Sequence, residues 1–99
     1  MNSQIAARIE QIAVELTNQL SVVETPGELD SVQKVYDTFS EMDYYKENPE
    51  HLRFVDAVKD KLGRKSVLAM LKGKKGNSKK TVLMIGHTDT VGISDYGSL

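Results

Sequence analysis

Cysteine is absent from the 99-residue sequence, which excludes disulfide bonds and thiolate metal ligands and fits a reducing compartment. A surplus of one charge sign is also absent. The 13 basic and 14 acidic side chains leave a formal net charge of −1, so nothing draws the whole chain to nucleic acid or to an anionic membrane. No apolar run approaches the roughly 20 residues that span a bilayer, and no signal peptide is indicated. We therefore expect a small cytoplasmic protein with neither a nucleic-acid nor a membrane partner.

Two amphipathic helices are predicted in the first half of the chain. Apolar residues recur at intervals of three and four, which predicts a helix over 3–20 with one face for a core. A second helix is predicted over 25–41. Thr25 is placed to cap its exposed amides, Pro26 falls where a missing N–H costs nothing, and Glu28 can complete a capping box.

Residues 43–62 allow two interpretations. The apolar positions Leu52, Val55, Val58 and Leu62 fit a helix that ends at Gly63. Residues 52–55 also fit a short edge strand, and periodicity alone favours the helix. Before them, 43–45 could begin an extended segment and 48–49 a turn or a new helix.

Two strands are predicted after this region. Residues 66–71 and 81–85 are rich in aliphatic side chains, and the polar, glycine-containing stretch between them favours an antiparallel hairpin. The order of helices followed by strands predicts an α/β fold. No internal repeat or linker indicates a second domain.

The most specific motif follows the second predicted strand, where residues 86–92 read Gly-His-Thr-Asp-Thr-Val-Gly. Because side chains alternate along a strand, His87 and Asp89 should leave the same side of the backbone where the strand ends. An imidazole and a carboxylate at the edge of a sheet suit a metal site. The alternative is a histidine that is hydrogen-bonded to a carboxylate for structural reasons alone.

Residues 86–91 resemble the first metal-site motif of the M20 family of zinc-dependent peptidases and amidohydrolases. The preceding helices and hairpin are similar to the start of that family's catalytic domain, and residues 62–67 and 95–97 look like its arginine-utilisation (RocB-type) branch. The resemblance implies that His87 is a zinc ligand and that Asp89 is the catalytic-site carboxylate that orients a ligand imidazole. It also implies two zinc ions and a three-layer αβα domain with a largely parallel sheet. The implied substrate is an amide bond in a small amino-acid-derived compound or peptide.

The sequence lacks the family's other metal-site residues, because no bridging aspartate, Glu-Glu pair or later histidine follows the motif before Leu99. Catalytic zinc normally has three protein ligands and a water. We therefore expect residues 1–99 to be the N-terminal part of one catalytic domain, to bind zinc weakly and to be inactive alone. The alternative is a non-catalytic interaction module, or a truncated remnant, that docks on another chain. A homo-oligomer is compatible with either expectation.

Three other features favour ordinary structural roles. His51 lies in a polar turn and is predicted to serve a surface role rather than metal ligation. The lysine-rich stretch 72–80 lacks the register of a phosphate-binding loop and the aromatic side chains of a nucleic-acid site, so it is predicted to be a solvated hairpin tip. Residues 89–91 lack the glycine of an aspartic-protease motif, because Val91 stands in its place.

Overall fold

The computed structural model describes residues 2–19, 21, 25–74 and 79–90. The regular elements in these residues are α1 (Ser3–Asn18), α2 (Gly27–Ser40), α3 (Asp43–Glu47), a 3-10 turn (Pro49–His51), β1 (Leu52–Asp56) and β2 (Lys65–Ala69). The two strands pair in an antiparallel hairpin in which Phe54 lies opposite Val67. The predicted α/β class is therefore confirmed, with helices followed by a two-stranded antiparallel sheet.

Helix α1 confirms the first predicted helix, but its apolar face is largely open. The side-chain oxygen of Asn2 accepts a hydrogen bond from the backbone N–H of Gln4 at 2.8 Å and so caps the helix. No residue of α1 is buried, and Ile5 and Ile9 remain 55% and 53% exposed. The face predicted for a core is uncovered because α1 packs chiefly against α2.

Helix α2 confirms the second predicted helix, with a different start. The N-cap residue is Pro26 rather than Thr25, and it contributes no side-chain hydrogen bond. Pro26 already has helical backbone angles, with φ −57° and ψ −21°, and its carbonyl accepts from the N–H of Leu29 at 3.1 Å. Pro26 thus has helical geometry at the start of α2, where its missing N–H costs nothing.

The packed core lies where α2 and α3 meet the hairpin. Tyr45 and Leu52 are its buried apolar residues in the described part of the chain, at 8% and 5% exposure. Tyr36 of α2 stacks on Phe54 of β1 with ring centroids 4.3 Å apart. The ammonium of Lys65 lies 4.2 Å from the centroid of the same Phe54 ring. The first contact holds α2 against β1, and the second joins the two strands of the hairpin.

Residues 52–62 are not a helix, so the interpretation favoured by periodicity is wrong and the edge-strand alternative is confirmed over 52–56. Along β1 the side chains alternate, with Leu52 buried, Arg53 exposed and Phe54 half-buried. Pairing with β2, a non-local interaction, determines that this segment is a strand rather than a helix. The extended start expected at 43–45 is instead the first turn of α3.

The predicted pairing of the last two strands is also wrong. Strand β2 confirms the prediction over 66–71 in most of its length, but it pairs with β1. Residues 79–89 form neither helix nor strand. The nearer segment 52–56 reaches β2 through the short loop 57–64, whereas the predicted partner 81–85 lies beyond a longer connection.

The remaining expectations on architecture stay predictions. The three-layer arrangement, the parallel sheet and the single-domain assignment involve more polypeptide than these elements. Residues 75–78 of the predicted lysine-rich tip and the motif residues 91 and 92 lie outside the described residues. Within the described ranges, no helix is both long enough and apolar enough to cross a bilayer.

Candidate functional site: the His87–Asp89 pair

The structure brings the side chains of His87 and Asp89 together. The predicted basis for this contact is wrong, because residues 79–89 form no strand that would place the pair at the edge of a sheet. The imidazole Nδ1 of His87 lies 2.9 Å from Oδ1 of Asp89 and 3.2 Å from the main-chain carbonyl oxygen of the same residue. The His87 side chain is 82% exposed and the Asp89 side chain 41% exposed. The pair is therefore an accessible contact at the surface.

The partners of Nδ1 determine which ring nitrogen of a neutral His87 carries the proton. A carboxylate and a carbonyl oxygen can only accept hydrogen bonds, so Nδ1 is the donor to both Asp89 oxygens. The lone pair of the neutral ring is then on Nε2, on the exposed imidazole. A histidine that donates one N–H to a carboxylate and presents its other nitrogen has the arrangement of a metal-ligating histidine.

The backbone around Asp89 is tied to Ser21, in the segment between α1 and α2. The hydroxyl of Ser21 donates to the carbonyl of Thr88 at 2.6 Å. The backbone N–H of Thr90 donates to the carbonyl of Ser21 at 2.9 Å. Ser21 is only 4% exposed, so these bonds join the motif to the interior of the molecule.

A cleft of about 260 Å³ lies between α2, the start of β2 and the motif. Residues 86–89 form one of its walls. Opposite them are the apolar side chains of Leu29, Val32, Val35 and Val67 and the charged side chains of Glu28, Arg64 and Lys65. The cleft therefore offers apolar contact and both signs of charge beside the imidazole.

An ion-pair network fixes the charged wall of this cleft. The Nε and Nη2 atoms of Arg64 donate to the carboxylate of Asp60 at 2.7–3.1 Å, and its backbone N–H donates to Asp60 Oδ2 at 2.7 Å. The guanidinium hydrogen bonds, followed by the backbone one, lower the pKa of Asp60 to about 2. Arg64 Nη1 also lies 3.6 Å from Glu28 Oε2, so the network joins the 57–64 loop to α2.

The described residues fit one zinc ligand and its orienting carboxylate. Nowhere in the described ranges do three or more His, Cys, Asp or Glu side chains form a group that could hold a metal ion. A catalytic zinc site normally takes three protein ligands. His87 and Asp89 alone therefore do not complete such a site.

His51 is less exposed than the surface role predicted for it implies. Its side chain is only 16% exposed, and Nδ1 lies 2.8 Å from the hydroxyl of Tyr44. That hydroxyl also accepts the backbone N–H of Lys72 at 3.0 Å. On the other side of the ring, Nε2 lies 3.5 Å from Glu50 Oε1. His51 therefore belongs to the packing between α3 and the hairpin.

Aromatic side chains of α2 and α3 pack against one another. Phe39 and Tyr44 both make edge-to-face contacts with the buried Tyr45, at centroid distances of 5.6 and 5.1 Å. Burial raises the pKa of the Tyr45 phenol, and Tyr44 adds to the effect.

Sequence reasoning missed two other contributors to the site, the Asp60–Arg64 pair and Ser21. The i, i+4 spacing of Asp60 and Arg64 is a readable signal for their pairing, whereas nothing local marks Ser21.

Two curated proteins of Bacillus subtilis (strain 168) are similar to this chain over nearly its whole length. The protein named RocB is 35% identical over 94 residues, which cover 95% of this chain and 16% of RocB. The uncharacterized protein YqjN is 30% identical over 97 residues, which cover 98% of this chain and 17% of YqjN. The chain thus spans about a sixth of the length of these relatives.

No family model matches the chain, and no solved structure matches it. The comparisons therefore establish a distant similarity to RocB and YqjN, in keeping with the predicted RocB-type resemblance.

Proposed function

We propose that this chain provides the first metal-ligand segment of a zinc-dependent hydrolase of the M20 type. The substrate class is an amide bond in a small amino-acid-derived compound or peptide, and the metabolic setting is arginine utilisation. His87 is the zinc ligand through Nε2. Asp89 is the carboxylate that orients it.

The observation that carries the proposal is the hydrogen bond between His87 Nδ1 and Asp89 Oδ1, at 2.9 Å, on an imidazole that is 82% exposed. The carboxylate holds the proton on Nδ1 and makes Nε2 more basic, which strengthens its bond to a metal. The adjoining cleft of about 260 Å³ offers room for a small substrate. The similarity to RocB and YqjN supports a role as one segment of a longer protein.

Zinc, when bound, would supply a water of lowered pKa and polarise the substrate carbonyl. The residues of this chain would hold and orient one ligand and form one wall of the substrate cleft. A complete zinc site needs ligands beyond His87. These would come from polypeptide that corresponds to the unmatched five-sixths of the relatives. We therefore expect the 99 residues alone to show no hydrolytic activity.

Zinc titration followed by NMR of the imidazole signals tests this proposal, because His51 is an internal control. The ring signals of His87 should respond to zinc at lower concentration than those of His51, whose Nδ1 already contacts the Tyr44 hydroxyl. Replacement His87→Ala should abolish the binding, while the matched variant His51→Ala should retain it. Equal responses of the two rings, or undiminished zinc binding by His87→Ala, would contradict the proposal.

A further inference from the structure

We infer that Ser21 is a positioning residue for the His87–Asp89 pair. The inference rests on the proposed function, since it explains how the zinc ligand keeps its orientation. Ser21 precedes α2 and lies 67 residues before Thr88 in the chain. It contacts the motif through backbone groups and does not touch the metal position.

Ser21 fixes both peptide groups that flank Asp89. The Thr88 carbonyl, which accepts the Ser21 hydroxyl at 2.6 Å, belongs to the peptide group before Asp89. The Thr90 N–H, which donates to the Ser21 carbonyl at 2.9 Å, belongs to the peptide group after it. The orientations of these two planar peptide groups relative to the Cα atom of Asp89 define its φ and ψ. Holding both therefore directs its Cβ, and with it the carboxylate, toward His87.

The burial of Ser21 makes these bonds effective. At 4% exposure the hydroxyl has little access to water, so its bond to the Thr88 carbonyl has no ready replacement. Residues 82–85, just before the motif, are 72–89% exposed. No backbone hydrogen bond joins them to another described residue. Ser21 thus supplies the backbone hydrogen bonds that join the motif to another described segment.

The chemical consequence concerns the proton of His87. With Asp89 held in place, the proton stays on Nδ1 and Nε2 presents its lone pair. When the peptide groups are released, the hydrogen bond to Asp89 becomes intermittent and the ring gains access to its other tautomer. A ligand that spends part of its time in the wrong tautomer binds metal more weakly.

The test measures the tautomer of His87 by long-range ¹H–¹⁵N NMR in three variants of the 99-residue chain. Ser21→Ala removes the hydroxyl and should shift the ring from the Nδ1–H form toward the mixture of a free imidazole. Ser21→Thr keeps a hydroxyl and should restore the Nδ1–H form. The matched control is Ser31→Ala, which removes another buried serine hydroxyl, 2% exposed on α2, and should leave the His87 spectrum unchanged.

One further measurement, of zinc affinity, separates this inference from the proposed function. Zinc affinity at His87 should fall in Ser21→Ala, by less than the roughly 10- to 100-fold that is typical when the orienting partner of the ligand is itself removed. If the tautomer shifts but neither protein binds zinc at His87, the positioning role stands and the proposed function fails. If Ser21→Ala keeps the wild-type tautomer, the positioning role is overturned whatever the zinc result.

Hydrogen exchange in the unmodified chain keeps the inference testable if Ser21→Ala does not fold. The amide of Thr90 donates to the Ser21 carbonyl, so it should exchange more slowly than the amides of 82–85. Exchange of Thr90 at the same rate as those amides would overturn the inference.

Discussion

The two histidines of this chain occupy regions of opposite character. His51 lies in the packed region, where its ring is 16% exposed and contacts the hydroxyl of Tyr44. His87 lies in the open region, with a ring that is 82% exposed and held by Asp89. Both rings use Nδ1 in a contact shorter than 3 Å, at 2.8 and 2.9 Å respectively. Exposure and the nature of the partner, rather than the presence of a partner, separate a structural histidine from a candidate ligand.

The same contrast extends to the surroundings of each histidine. The packed region contains the buried Tyr45 and Leu52 and the aromatic contacts around them. In the open region, residues 82–85 are apolar yet 72–89% exposed. A packed region supplies stability, whereas an open one leaves side chains accessible to another molecule. The site therefore lies at the boundary of the stable part of the chain.

The largest difference in stability between the packed and the open region should appear when a core side chain is removed. Leu52→Ala removes a side chain that is 5% exposed, and we expect it to reduce the free energy of unfolding by about 2–5 kcal/mol. The matched control is Leu83→Ala, because Leu83 is 72% exposed and its truncation should change stability by less than about 0.5 kcal/mol. Urea unfolding followed by circular dichroism measures both. Equal losses would show that the open region is packed as tightly as the hairpin.

The sequence predicts the local features of this molecule better than the non-local ones. Helices α1 and α2 follow from apolar periodicity, and the approach of His87 to Asp89 follows from a spacing of two residues. Periodicity does not predict strand β1, because Leu52 is buried by the pairing of β1 with β2 and not by a helical face. The role of Ser21 could not be predicted from the sequence either, because its bond to Thr88 spans 67 residues of sequence.

A smaller effect is expected from the ion pair that closes the loop of the hairpin. Arg64 lowers the pKa of Asp60 from its ordinary 3.8 to about 2. Because the folded-state pKa is the lower one, this contribution to stability is complete above about pH 4 and is lost as the pH falls toward 2. Asp60→Asn should therefore be less stable than wild type at pH 5, with the difference narrowing by pH 2.

Urea midpoints at several pH values measure this dependence on Asp60. The control is Asp56→Asn, at an exposed aspartate at the end of β1. In Asp56→Asn the difference between the urea midpoints at pH 5 and pH 2 should be close to that of wild type. A constant difference between Asp60→Asn and wild type across this range would mean that the carboxylate charge of Asp60 does not hold the loop.

The most direct test of the account is the tautomer of each histidine in the unmodified chain, read from long-range ¹H–¹⁵N NMR at about pH 9, where imidazoles are neutral. We expect His87 to carry its proton on Nδ1, because both partners of that nitrogen are acceptors. We expect the opposite tautomer for His51. The Tyr44 hydroxyl donates to Nδ1, and the proton on Nε2 faces Glu50. Tyr44→Phe should release the preference in His51 and leave His87 unchanged. A proton on Nε2 of His87 would contradict the claim that Asp89 prepares this ring to bind a metal.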